Sequence, residues 1–116
     1  MHEMGIAMQV VKIATASIPD DIEDARVEKI NLRIGKLAAV VPSSLRFCFE
    51  IITKDTQLAG AELHIEDIPV LARCRDCDRE WTISGPVFKC EACESGSVEI
   101  LSGQELDIDS IEIADE

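Results

Sequence analysis

At 116 residues the chain has room for one principal hydrophobic core, or a core plus a small insert, but not for two full cores. Eleven basic against twenty-three acidic residues give a net charge of −12, spread along the whole length, and that field repels phosphate backbones. An apolar fraction of 47% with 3% aromatics, no Tyr and one Trp leaves aliphatic side chains to build the core.

From His2 to about Ser17 the apolar residues Met4, Met8 and Val11, with a second series at Ile6, Val10 and Ile13, recur at helical spacing and predict a helix with a broad buried face. Lys12 interrupts this stretch well short of membrane-spanning length, and no positive cluster precedes it. The expectation is therefore a cytoplasmic protein that neither spans a membrane nor is exported. Pro19-Asp20-Asp21 ends the helix. In Glu28 to Leu37, Ile30, Leu32 and Ile34 alternate with Lys29, Asn31 and Arg33, the period of a half-buried strand.

Pro42-Ser43-Ser44 opens a second helix, with proline in the first turn and serines able to bond free amides. Its stripe is Leu45, Cys48, Phe49 and Ile52. Leu63 and Ile65 alternate against Glu62, His64 and Glu66 in a second strand that runs toward Pro69. After Gly103, Leu106 and Ile108 lie in one strand phase and Ile111 and Ile113 in the other, which a bulge near Asp109-Ser110 would reconcile. The fold expected is α+β, two helices on a three-stranded sheet with an inserted zinc-ribbon-like module. Its boundaries are a discontinuous α/β domain, 1–70 and 102–116, and a module at 71–101.

The module is short, charged and poor in large apolar residues, so it is expected to lack a core of its own. Cys74-x-x-Cys77 and Cys90-x-x-Cys93 stand twelve residues apart, and each pair can aim two thiolates at one cation. Between them, 79–83 and 87–89 flank Ser84-Gly85-Pro86 and predict a hairpin that joins the pairs. Four sulfurs close a tetrahedron around Zn²⁺ and leave no position for a substrate, so the site is structural. Such binding is worth about 10 to 16 kcal/mol in model peptides, enough to order a coreless module.

Other chemistries fit the cysteines less well. A redox dithiol would need a reactive thiolate that zinc would block, and iron could use the same four ligands. Cys48, between Phe47 and Phe49 on an apolar stripe, reads as a small buried hydrophobe. Three basic residues stand against six acidic ones between Cys74 and Ile100. With four thiolates on Zn²⁺ the module carries about −5, which argues against nucleic acid.

His2 is the other candidate ligand. The Met1 amine, the His2 peptide nitrogen and the His2 imidazole can close adjoining five- and six-membered chelate rings, with Glu3 (backbone or side chain) in the fourth position. Nickel and copper favour planar nitrogen donors of this kind. The bland alternative is a solvated helix start, and His64, between Glu62 and Glu66, reads as a solvated strand residue.

Met1-His2-Glu3-Met4, Arg33-Ile34-Gly35 with Leu37, Pro42-x-x-Leu45-x-Phe47-x-Phe49-Glu50, Gly60-Ala61-x-Leu63, the two cysteine pairs and Ser110-Ile111-Glu112-Ile113 together resemble the HypA/HybF family of nickel-insertion proteins. The order and spacing cover essentially the whole chain, with Gly5 standing where relatives commonly have serine. The resemblance implies a non-enzymatic nickel metallochaperone that helps deliver Ni(2+) to [NiFe]-hydrogenase, or in some organisms to urease. It implies work with the HypB GTPase and the hydrogenase large subunit precursor, without nucleic acid or membrane, and it leaves homodimerisation open. Residue by residue it implies Met1 (terminal amine), His2 and Glu3 as the nickel end, with Cys74, Cys77, Cys90 and Cys93 as Zn(2+) ligands. The competing reading is a zinc-ribbon protein-interaction adaptor without nickel function.

Overall fold

The first helix, α1 (Glu3–Ala16), is lined on its buried side by small residues: Ala7, Val10 and Ala14 are buried, whereas Met4, Met8 and Ile13 are exposed. The apolar period is helical as expected: of the residues that carried it Val10 is buried and Ile6 and Val11 are half-buried, while Met4, Met8 and Ile13 lie outside the buried stripe. Alanine lets two helix backbones approach closely, and α1 packs on α2 (Pro42–Thr53), which buries Leu45, Phe49 and Thr53 and half-buries Cys48 and Ile52. Thr53 is buried without cost to its hydroxyl, which donates to the Phe49 carbonyl at 2.8 Å.

The computed structural model describes residues 2–114. Between the helices run β1 (Val27–Gly35) and a 3-10 turn (Lys36–Ala38). After α2 come β2 (Glu62–Ile68), β3 (Val70–Cys74), β4 (Glu80–Ile83), β5 (Val98–Ser102) and β6 (Leu106–Ile113). The strands form two three-stranded sheets, ordered β2-β1-β6 and β4-β3-β5. The chain divides into two compact units. One gathers the residues up to Arg33, Val40–Glu66 and those from Asp107 onward; the other takes Ile34–Ala39 and Asp67–Leu106.

In the first unit β1 is the central strand, with Ile30 and Leu32 buried and Lys29, Asn31 and Arg33 half-buried on the alternate positions. Lys29 reaches Glu62 at 3.8 Å and Glu112 at 4.0 Å, and Arg33 reaches Glu66 at 3.9 Å and Asp107 at 4.0 Å. A basic central strand thus lies between two acidic ones. Each exposed pair contributes well under about 1 kcal/mol, but all four disfavour a one-residue slip. Asn31 adds bonds to Ser110 and Glu112 of β6, and Ile108, Ile111 and Ile113 are half-buried across the change of phase.

The second unit departs from expectation in three ways. It has its own small core, in which Val70, Ala72 and Ile83 are buried and Trp81, Val98 and Ile100 pack against them. Strand β3, which begins just after Pro69, and strand β5 carry much of it. The hairpin expected over 79–89 does not form: β4 pairs with β3, in the register Ala72 opposite Trp81, and 84–90 holds no strand. Strand β2 ends at Ile68, just before Pro69 as expected, and the departure is the further strand, β3, that starts directly after that proline. On the other side of β3, Ala72 faces Ile100, with an irregularity between Leu71 and Ala72. Gly35 and Gly103 meet backbone to backbone in this unit, where the Gly35 and Leu37 amides donate to Glu105 at 2.7 Å and to Gly103 at 2.8 Å.

Candidate metal centre

Cys74 ends β3, and its carbonyl accepts from the Asp78 amide at 2.8 Å while its amide donates to the Arg79 carbonyl at 2.8 Å. Cys90 repeats the pattern sixteen residues later: its carbonyl accepts from the Glu94 amide at 2.8 Å and its amide donates to the Ser95 carbonyl at 3.0 Å. Each pair is therefore one turn of a tight knuckle that closes with a residue in the left-handed region, Asp78 at φ 62° and Glu94 at φ 60°. Cys74 and Cys90 are buried, Cys77 and Cys93 exposed.

The two knuckles face each other. All four Sγ atoms lie within 4.8 Å of one another, with Cys74 and Cys93 at 3.5 Å and Cys77 and Cys90 at 3.6 Å. A tetrahedron with Zn–S bonds of about 2.3 Å has edges of about 3.8 Å, so the sulfurs already stand close to that spacing. The donor set is closed, soft and fourfold, and it fits zinc. Ser95 of the second knuckle donates to the Asp76 carboxylate of the first, which ties the turns together beyond the sulfurs.

Backbone amides favour thiolates here, and crowding of the sulfurs opposes them. The Cys93 and Ala92 amides, with bonds from the neighbouring sulfurs, outweigh burial and bring Cys90 down to about 7. The Ser95 amide favours the Cys93 thiolate, but the Cys74, Cys90 and Cys77 sulfurs and desolvation together push that group up to about 12. The Arg79 amide acts likewise on Cys77, and the Cys90 sulfur, burial and the Cys74 sulfur leave it raised. Four thiolates at this spacing need a dication to balance them.

The expected nickel end is in the first unit. Met1 lies outside the described residues. His2 is the exposed N-cap of α1; its carbonyl accepts from the Ile6 amide at 3.2 Å, and its side chain makes no capping bond. Glu3 is half-buried, and its Oε2 accepts from the Val41 amide at 3.1 Å. That bond, then Glu3's own amide, holds its carboxyl below the usual carboxylate range. Ser43 and Ser44, expected as caps, make no capping bond, and the N-cap of α2 is Val41. Cys48 sits half-buried on α2 and His64 exposed on β2, and neither joins a metal-binding cluster among the described residues.

Sequence reasoning missed Asp78, Glu94, the Asp76–Ser95 bond and the Glu3–Val41 bond. A signal for the first was present, because an aspartate, which tolerates left-handed backbone, follows Cys77, whereas the glutamate after Cys93 gave none.

Comparison with known proteins covers nearly the full length. A model of the family described as hydrogenase/urease nickel incorporation, metallochaperone, HypA matches residues 1–113. A protein called hydrogenase maturation factor HypA from Desulfosudis oleivorans is 64% identical over 113 residues, spanning 97% of this chain and 98% of that one. A protein of the same name from Geotalea uraniireducens is 44% identical over 113 residues, spanning 97% and 99%. Among solved structures, one described as the solution structure of HypA protein superposes with a TM-score of 0.71 at 24% identity, covering 100% of this chain and 98% of that one. Another, the nickel metallochaperone HypA from Helicobacter pylori, gives 0.64 at 24% identity, covering both chains in full. These two likenesses show the fold.

Proposed function

Because the chain belongs to the HypA family of nickel-incorporation metallochaperones that serve hydrogenase maturation, we propose that it holds its cargo Ni(II) at the extreme amino terminus and passes it on. The Met1 amine, the His2 amide nitrogen and the His2 imidazole are the donors, with the Glu3 region beside them. The α/β part of the chain, 1–70 and 102–116, is the nickel-binding domain, and 71–101 is the zinc module. Cys74, Cys77, Cys90 and Cys93 hold Zn²⁺, which supplies a dication that cross-links the knuckles.

The observation that carries this reading is the state of His2. It is exposed at the first turn of α1, its imidazole unused by the cap, inside a family match that begins at residue 1. Nitrogen donors in that position can take up a planar metal without disturbing the core. An exposed chelate also exchanges: the same donors release nickel when an acceptor offers better ligands. The chain acts as a carrier and not as an enzyme, and no helix among the described residues is long and apolar enough to cross a membrane. Its partners on this reading are the HypB GTPase and the hydrogenase large subunit precursor, in the cytoplasm, with urease as a second recipient class.

The test is a nickel titration of tag-free protein followed by the visible absorption of planar Ni²⁺. His2→Ala removes the imidazole, and a residue added before Met1 removes the amine from the chelate; each is expected to abolish stoichiometric binding with zinc content unchanged. Nickel bound by both variants as by the wild type would leave the zinc-ribbon adaptor as the better reading.

A further inference from the structure

The Glu3 carboxylate is engaged with a second helix rather than with its own terminus. It leaves the first turn of its own helix, crosses to the entrance of α2 and accepts the Val41 N–H at 3.1 Å. Val41 is the N-cap of α2, a helix with no acidic residue in its first turn and no side-chain cap of its own. An anionic oxygen is favoured at such an end by the free amides and the helix dipole, and Glu3 makes the bond to the N-cap amide that a glutamate three residues into the helix makes in a capping box. Meanwhile the His2 carbonyl is engaged by Ile6 in the first turn of α1. The peptide between His2 and Glu3 is thus held on both sides, while the His2 ring stays exposed.

We propose, on the reading that nickel binds at the amino terminus, that the Glu3 side chain is a positioning group and not a nickel donor: its carboxylate latches the start of α1 to Val41 and so holds the His2 nitrogens ready for the metal. The oxygen bonded to Val41 could not turn to the metal without giving up that bond. The gain from the latch is preorganisation, because a chelating segment that is already held loses less freedom when it closes around an ion. The fourth nickel position is then left to a backbone nitrogen, to water or to the acceptor's own ligand.

Two variants separate the roles. Glu3→Gln keeps an oxygen that can accept from Val41 but removes the anionic donor, whereas Glu3→Ala removes both. The latch predicts that Glu3→Ala weakens nickel binding on the order of three- to ten-fold, the size of one exposed hydrogen bond, with one nickel per chain and an unmoved visible band. Glu3→Gln should recover most of that loss, again with the wild-type band. In the nickel-free protein the Val41 amide should shift and exchange faster in Glu3→Ala and be restored in Glu3→Gln, with zinc content the same in both.

A shifted band or a lost ligand in Glu3→Gln would make the carboxylate a donor and overturn the proposal. A Glu3→Ala protein with wild-type nickel affinity and an unchanged Val41 amide would overturn it equally. Failure of the underlying reading looks different, since it appears as wild-type nickel binding by His2→Ala, whatever Glu3 does.

Discussion

Asp78 and Glu94 occupy the same place in the two cysteine knuckles, each directly after the second cysteine of its pair and each in left-handed backbone, at φ 62° and φ 60°. Neither is glycine, although glycine meets that conformation without steric cost. Their amides close the turns onto the Cys74 and Cys90 carbonyls, so the strain is spent on shaping the sulfur cage.

Glu94→Gly is therefore expected to raise the stability of the zinc-loaded protein by about 1 kcal/mol, since a β-carbon is no longer held in the left-handed region. The lost pair with Lys89, at 4.0 Å between exposed side chains, offsets little of this. Asp78→Gly should gain less, because aspartate tolerates that backbone better than glutamate. Thermal melts of both variants check the order, and a loss of stability in Glu94→Gly would contradict it.

Cys74→Ala and Cys93→Ala should each abolish stoichiometric zinc and disorder the β4-β3-β5 unit, while amide signals of α1 and α2 remain dispersed. Buried Cys74 and exposed Cys93 are expected to be equally damaging, since the tetrahedron needs both. A small core of Val70, Ala72 and Ile83 is too little to order that unit without the metal. Elemental analysis and amide spectra decide it; zinc retained in either variant would break the four-sulfur assignment.

Zinc uptake near pH 7 should release protons, because the metal-free site keeps Cys93, pushed up to about 12, and Cys77, also raised, as thiols and leaves Cys90, at about 7, only part ionised. Protons compete with zinc for these sulfurs, so apparent affinity falls as pH falls and rises as pH rises. Calorimetry in buffers of different ionisation heat counts the protons. A pH-independent affinity between about 5 and 8 would show that the thiolates are preformed.

Gly35→Ala should destabilise the second unit on the order of 3 kcal/mol, since a β-carbon there would fall on the backbone of Gly103, which cannot move aside as a side chain end could. Gly60→Ala, with open space around it but positive φ, makes a control whose cost is backbone strain alone. Equal melting points for the two variants would show that the strand has room to shift.

Local chemistry settled much of this protein from sequence. Ile30, Leu32 and Ile34 announced β1 because a strand facing a core on one side must alternate, and the two Cys-x-x-Cys turns announced a four-sulfur cluster because that spacing suits one tetrahedral ion. Choices between distant segments were not legible there. Nothing in Glu80-Trp81-Thr82-Ile83 says that its partner is Val70–Cys74 rather than the nearer 87–89; the observed pairing brings Ile83 and Trp81 to the core of Val70 and Ala72, a burial that only the assembled unit offers. The buried stripe of α1 was displaced for a similar reason. Met4, Met8 and Ile13 shared the periodic signal with Val10, and burial picks out Val10 together with Ala7 and Ala14, whose small side chains gave no such signal. Glu3 and Val41 stand thirty-eight residues apart, and their bond exists because the starts of two packed helices come together, a proximity set by tertiary packing and written in neither segment alone.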